Sequence, residues 1–293
     1  MTPVKSHHHA IFWMLMTGFL AVSINMLART LGTEFHPFQI VFFYNAFGLI
    51  FLTPVVIYKR TELKTDKMRL FTTRSILEFT AFSVAFYAVG KLPFPTFTAL
   101  SFTSPLFASI FAIFILKEDN TVHRWIALLI GFIGVLIMTK PGSDTFQYMT
   151  MLVLAAACCF ALCSVTIKKL TRTEPPMRVA FYMVFLTACI SAPFAVYYWQ
   201  PIPLALWPKL ALMGMLVASV QYTVSRALSM GEVTAILPVT YVNLLWSSIY
   251  AYILFNETIT LIVILGGGLI VAAAFYAAKF GHRKTPISDV VQA

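Results

Sequence analysis

Arg74 and Glu78 stand at positions that a helix brings to one face, one turn apart. They lie in an otherwise apolar run from Phe71 to Gly90. That run is long enough to cross a bilayer core, which takes about 20 residues at about 1.5 Å of rise each. A carboxylate near the middle of such a run costs about 3 kcal/mol to insert, so it is kept facing protein or water with a partner. The pair therefore marks either a lock between packed helices or a site that handles something crossing the membrane. Desolvation and the neighbouring guanidinium act on the carboxyl in opposite senses, which leaves two chemistries open. Glu78 either exchanges a proton against a substrate, or stays ionised and pairs with a cationic group on it.

Other polar and aromatic side chains interrupt the apolar runs. Tyr44 and Asn45 lie in the second, and Phe82 and Phe86 continue the Glu78 face of the third at steps of four. Phe102 lies in the fourth run, Gln221, Tyr222, Ser225 and Arg226 in the eighth, and Tyr241, Asn243, Trp246 and Ser247 in the ninth. The first carries Ser23, Asn25 and Arg29. If these spans share one cavity, Glu78 and Arg74 with Tyr44, Asn45, Phe82, Phe86, Phe102, Tyr222, Tyr241, Asn243 and Trp246 give it aromatic walls and a few hydrogen-bonding groups. That lining suits a planar or amphiphilic metabolite that stacks on rings and anchors a charged end.

Blander uses compete for the same residues. The chain has 27 Phe, most of which must face lipid or packing. Asn25 and Asn243 are equally suited to hydrogen bonds between helices, worth about 1 kcal/mol in membranes. Arg226 either couples or gates, or snorkels to the near membrane edge. Pro105 and Pro238 remove a backbone donor inside the fourth and ninth runs, which makes bends, and with them gates, available there. Glu118 and Glu257 end their runs and read as helix-end and repeat-contact residues.

Composition sets the class. Of 293 residues, 59% are hydrophobic and 11% charged, against about 25% charged in soluble domains, and the mean hydropathy is +0.83. The fold class is an all-α integral membrane protein. The net charge of +10 sits in loops between apolar runs and so reads as membrane topology, with no nucleic-acid partner. Cys158, Cys159, Cys163 and Cys189 lie within apolar runs without metal spacing. His7, His8 and His9 read as a polar juxtamembrane run. No metal or cofactor motif occurs, no HExxH or acid-rich catalytic set argues for an intramembrane enzyme, and no filter sequence argues for a channel. The lack of a Walker A sequence argues against a self-contained ATP-driven pump.

Ten apolar segments can be marked, approximately Ala10–Ala28, Gln39–Tyr58, Phe71–Val89, Thr96–Leu116, Trp125–Met138, Tyr148–Ile167, Val179–Tyr198, Leu206–Ser225, Ala235–Phe255 and Leu261–Ala278. Basic residues gather after the second (Lys59, Arg60, Lys64, Lys67, Arg69), fourth, sixth and tenth, which places both termini in the cytoplasm. The run Ser109–Glu118 reads against Ser248–Glu257 at an offset of 139 residues, each followed by a glycine-bearing span. With five spans per half, an odd number, the second copy must be inverted, an architecture typical of secondary carriers. The repeats are drawn at 8–142 and 146–280, with 281–293 as a cytoplasmic tail.

The stretch Ala99–Phe107 leading to Leu116, Lys117 and Glu118, then Trp125 and Gly131–Ile137, resembles the drug/metabolite transporter superfamily, EamA type. His36, Pro37 and Phe38, and Phe47, Gly48 and Leu49 through Pro54, extend the resemblance over nearly the whole chain. It implies ten spans in two inverted EamA repeats around a central cavity, alternating access, and a location in the inner or plasma membrane. Similar proteins carry S-adenosylmethionine, riboflavin, or amino acids and related metabolites, and the Arg–Glu pair leans towards amino-acid-like compounds. The implied partners are a small-molecule substrate, the lipid bilayer, and a proton or counter-substrate, with a monomer or homodimer as the assembly. One departure stands out: relatives often carry an Arg where this chain has Tyr44 followed by Asn45.

Overall fold

The computed structural model describes residues 3–31, 35–89, 100–118, 121–139, 148–255 and 261–280. Among these, ten long helices follow one another: α1 (Pro3–Leu31), α2 (Pro37–Tyr58), α3 (Met68–Val89), α4 (Ser104–Leu116), α5 (Val122–Thr139), α6 (Tyr148–Thr171), α7 (Pro176–Tyr197), α8 (Trp207–Met230), α9 (Asn243–Phe255) and α10 (Leu261–Phe280). The ninth span begins before α9, as one helical turn, Val233–Ile236, and a 3-10 stretch, Leu237–Val242. Length and hydropathy qualify Pro37–Tyr58, Tyr148–Thr171, Pro176–Tyr197, Leu204–Met230 and Val233–Tyr250 as membrane spans, with shorter apolar helices among the rest. Phe114, Leu129, Ile264 and Phe275 are exposed on the outside, an apolar surface that lipid solvates and water would not.

Prolines start helices here more than they bend them. Pro37 and Pro176 open α2 and α7 after an extended residue, where the missing N–H costs nothing. Pro105 sits in the first turn of α4, and Pro238 in the 3-10 stretch. The fourth and ninth spans break near the prolines that the sequence marked as possible bends. Each has an α segment that starts late, α4 at Ser104 after a turn at Phe102 and Thr103, and α9 at Asn243.

The offset of 139 residues runs through the whole architecture. Adding it to the bounds of α2 gives those of α7, and adding it to the bounds of α4 gives those of α9. It carries the first residues of α3 and α5 onto those of α8 and α10, and the interior Pro54 onto Pro193. The packing obeys the same mapping. Helices α2 and α7 pack together, as do α5 and α10, and these pairs map onto themselves; α1 on α8 mirrors α6 on α3.

Glycine makes the central crossings close. A Cβ on Gly214 of α8 would lie 2.3 Å from the Phe47 Cβ and 2.7 Å from the Gly48 backbone nitrogen of α2. One on Gly134 of α5 would lie 2.8 Å from the Gly266 carbonyl oxygen of α10. Small residues at such contacts let backbones approach where lipid supplies no hydrophobic drive.

Repeat-related side chains also tie the halves at opposite faces. Gln39 donates from Nε2 to the Gln200 carbonyl at 2.6 Å and accepts from the Gln200 N–H at 3.2 Å. At the mate of Gln39, Arg178 donates to the Glu62 carbonyl at 2.5 Å and pairs with Glu174 at 2.5 Å. Beside Gln39, His36 stacks on Tyr198 at 4.0 Å, and burial holds its imidazole below the usual pKa.

Gly214→Ala is expected to lower the thermal unfolding temperature in detergent, because the methyl group meets backbone on α2. Gly268→Ala is expected to leave it unchanged or raise it, since its Cβ would meet nothing within 4 Å and alanine is the better helix former by about 1 kcal/mol. Equal responses would contradict the close α2–α8 crossing.

Candidate functional site

The site grows from α3. Arg74 and Glu78 are both buried, and Arg74 Nη1 is engaged with Glu78 Oε2 across one helical turn. The carboxylate is also held from the other repeat. Thr187 of α7 donates to Oε2 at 3.1 Å, and Gln221 of α8 donates from Nε2 to Oε1 at 3.0 Å. Gln221 Oε1 accepts from Arg74 Nη2 at 3.4 Å, which closes a ring of three side chains. The Cys163 thiol of α6 lies 3.7 Å from the Arg74 carbonyl oxygen. Helices α3, α7 and α8 thus share the bonding of one buried ion pair, as buried charges require, while Arg74 Nε is left buried without a partner.

Glu78 and Gln221 face a cleft of about 110 Å³ between α1, α2, α3 and α8. Tyr44, Asn45, Phe82 and Asn25 also line it, and the remaining wall is aliphatic. Tyr44 meets Phe82 edge-on at 6.5 Å, and Phe82 meets Phe160 edge-on at 5.2 Å. Asn45 spends its Nδ2 on the Val41 carbonyl at 2.8 Å, a bond within its own helix. The cleft can therefore offer a cationic or hydrogen-bonding group a carboxylate on one side and aromatic faces on the other.

The structure gathers Glu78, Tyr44, Asn45 and Phe82 at the cleft with Arg74 paired to Glu78, and places the other described candidates elsewhere. Tyr222, next to Gln221 but off the cleft wall, packs edge-on against Trp13 at 6.1 Å with Lys59 Nζ 5.5 Å from its ring. Phe102 and Tyr241 meet at 5.9 Å beside Gly131, within the seam of α5 and α10. Asn243 presses on Gly18, and Trp246 meets Phe19 edge-on at 5.5 Å. Both contacts fall nearer the start of α1 than Ala21, Ile24 and Asn25, which line the cleft. Arg226 is half-buried one turn beyond Tyr222. The side chain of Phe86, like Glu257 and the tail 281–293, lies outside the described residues.

Glu118 acts at a helix end, as its position suggests. Lys117 turns left-handed at φ 53° and closes α4. The Glu118 carboxylate then accepts from the N–H groups of Val233 at 3.0 Å and Thr234 at 3.1 Å. It caps the first turn of the broken ninth span, where an anion answers unpaired donors. Arg124 braces this contact, donating to Thr234 Oγ1 at 2.9 Å and pairing with Glu232. Among the described residues no group of three metal-binding side chains occurs, and the four cysteines are free.

Thr187 and Cys163 gave no signal in the sequence, since both types are common in membrane helices. Gln221 did leave one. Subtracting the repeat offset puts it on Phe82 and puts Val217 on Glu78, so α8 presents the mate of the Glu78 face to the same cleft.

Comparison with known proteins adds four findings. The EamA-like transporter family matches residues 8–140 and 147–278. The S-adenosylmethionine uptake transporter of Rickettsia bellii is 31% identical over 93% of this chain and 94% of its own length. The riboflavin transporter of Vibrio cholerae is 25% identical over 95% of this chain and 96% of its own. A solved crystal structure superposes with a TM-score of 0.80 at 17% identity, covering 92% of this chain and 96% of that one, which speaks to the fold.

Thr187→Val removes one donor from the buried carboxylate and is expected to cost about 1.5–3 kcal/mol of stability, the usual range for a hydrogen bond to a charged group. In a Glu78→Gln background the same substitution should cost clearly less. Denaturation of the two single variants and the double variant measures the difference. Additive effects would show that Thr187 does not act on Glu78.

Proposed function

Because the chain belongs to the EamA-like transporter family, we propose that it carries an amino-acid-bearing, S-adenosylmethionine-like metabolite inward by alternating access. The observation that carries this reading is Glu78 at the wall of the cleft, paired with Arg74 behind it and held from both repeats. An ammonium or sulfonium group finds Glu78, and a heteroaromatic ring finds Tyr44 and Phe82. The named function of the Rickettsia relative, similar over most of the chain, supports the same class.

A cleft of about 110 Å³ is smaller than sites for drug-sized ligands, which run to about 300–1,000 Å³. Admitting such a metabolite therefore requires the repeats to move apart on one side, the motion that inverted repeats permit. The basic loops after α2, α4, α6 and α10 favour cytoplasmic termini in an inner or plasma membrane, with repeats at 8–142 and 146–280. A proton or counter-substrate is the coupling partner in this reading, with Glu78 as the group that carries or balances the charge.

A second reading is a riboflavin carrier, favoured by the aromatic faces in the cleft and by the Vibrio relative. Export of amino acids or drugs by the same fold is its counterpart in direction. Riboflavin has no cationic group for Glu78, and that difference separates the two.

The test is thermal unfolding of the purified protein with S-adenosylmethionine, amino acids, nucleosides, polyamines and riboflavin, for wild type and Glu78→Gln. A ligand of the folded state at about 100 times its Kd adds about 2.7 kcal/mol. S-adenosylmethionine is expected to raise the wild-type Tm and to lose that effect in Glu78→Gln, which keeps the shape of the side chain and should remain folded. A riboflavin response that survives in the variant would replace this reading with the second. Loss of folded protein would assign Glu78 to packing.

A further inference from the structure

Gln221 does something more specific in this cluster than brace Glu78. Its carboxamide offers a donor to Glu78 Oε1 at 3.0 Å and an acceptor to Arg74 Nη2 at 3.4 Å. An N–H group towards a carboxylate and an oxygen towards a guanidinium are also what the α-ammonium and α-carboxylate of a free amino acid present.

The amide serves the guanidinium poorly. The 3.4 Å contact is long for a hydrogen bond between nitrogen and oxygen. Arg74 Nε is buried and has no partner at all. Nε and Nη2 form one edge of the planar fork, the edge that takes a carboxylate through two parallel bonds, while Nη1 is already engaged with Glu78. Of the two donors on that edge, Nη2 alone reaches the neutral oxygen and Nε has no partner. Gln221 and Glu78 line the cleft and Arg74 does not, so the carboxamide stands at the wall between a ligand in the cleft and the open edge of the guanidinium.

We propose that Gln221 is an internal stand-in for the amino-acid head group of the substrate, displaced when that group arrives. The incoming ammonium takes the place of Nε2 on Glu78, and the incoming carboxylate takes the Nε–Nη2 edge of Arg74. The swap replaces a neutral amide by fully ionic partners on both sides and gives the orphaned Nε a partner. It selects for an intact zwitterion, because a ligand with only one of the two groups leaves the other buried charge half-served. Gln221 then fills the site when no substrate is bound. This rests on the cleft as the substrate site and goes beyond it by naming the group recognised and the residue that competes with it.

The experiment is equilibrium binding to the full chain in detergent, for wild type and Gln221→Met, which keeps the volume and removes the amide. The probes are S-adenosylmethionine, L-methionine, and 5′-methylthioadenosine, which has the thioadenosine body without the head group. Removing an internal competitor should tighten S-adenosylmethionine and L-methionine by about tenfold and leave methylthioadenosine unchanged. Unchanged or weaker binding of the two amino acids, or equal shifts for all three probes, overturns the proposal. If Gln221→Met fails to fold, Gln221→Asn carries the same expectation, since its shorter amide cannot span both partners. Tighter L-methionine in the variant, with no adenosyl compound binding either protein, would remove the S-adenosylmethionine reading and keep the stand-in. No binding of any probe to either protein would remove both.

Discussion

A buried ion pair in the apolar middle of the third helix is the constraint on which the rest of this structure turns. A charged pair left without hydrogen-bonding partners among hydrocarbon would be costly. The chain answers by bringing Thr187 and Gln221 onto the carboxylate from the second repeat. Those bonds fix how α3 sits against α7 and α8. They require close approach, and the glycine contact of Gly214 with α2 supplies it on the adjoining crossing. One electrostatic demand is thereby converted into the geometry of four helices.

The two repeats share a backbone and differ in chemistry. The bounds of α2 and α7, and of α4 and α9, differ by the same 139 residues, so the register holds without insertion across those spans. At that offset Arg74 falls on Met213, Glu78 on Val217, and Gln221 on Phe82. Glu78, Phe82, Met213, Val217 and Gln221 all face the same cleft. The cleft therefore lies between symmetry mates, where an inverted-repeat carrier places its midplane site, yet both charges come from one side. The frame is symmetric and the charges placed in it are not.

Much of this was legible in the sequence, for a reason that also marks the limit. The i, i+4 spacing of Arg74 and Glu78 is local, and an apolar run exposes any charge within it, so the centre of the site stood out. The repeat was visible because Ser109–Glu118 and Ser248–Glu257 align without gaps. Hydropathy could not see the late starts of α4 and α9, since an α turn, a 3-10 turn and an unwound stretch built from Leu, Pro, Val and Tyr have the same apolar composition. Nor could it say which face each aromatic takes. Tyr222 adjoins Gln221 in sequence and yet packs on Trp13 and under Lys59, because neighbours in a helix point about 100° apart. Thr187 was silent because a threonine in a membrane helix is more often bonded to its own backbone than to a distant carboxylate.

The bonds Glu78 already makes to protein bear on how such a site can work. Both oxygens of the carboxylate already accept from protein, so a ligand arriving where Gln221 sits would exchange for a bond already made. Exchange makes the net gain small even when each new bond is strong, because the resting partners must be released. A carrier benefits from that, since a ligand held too firmly would not leave on the far side. Selectivity survives the exchange, because a ligand lacking the right groups breaks the internal bonds and returns nothing for them. A buried cluster that already bonds its carboxylate at rest thus permits a site to be discriminating and weak at once.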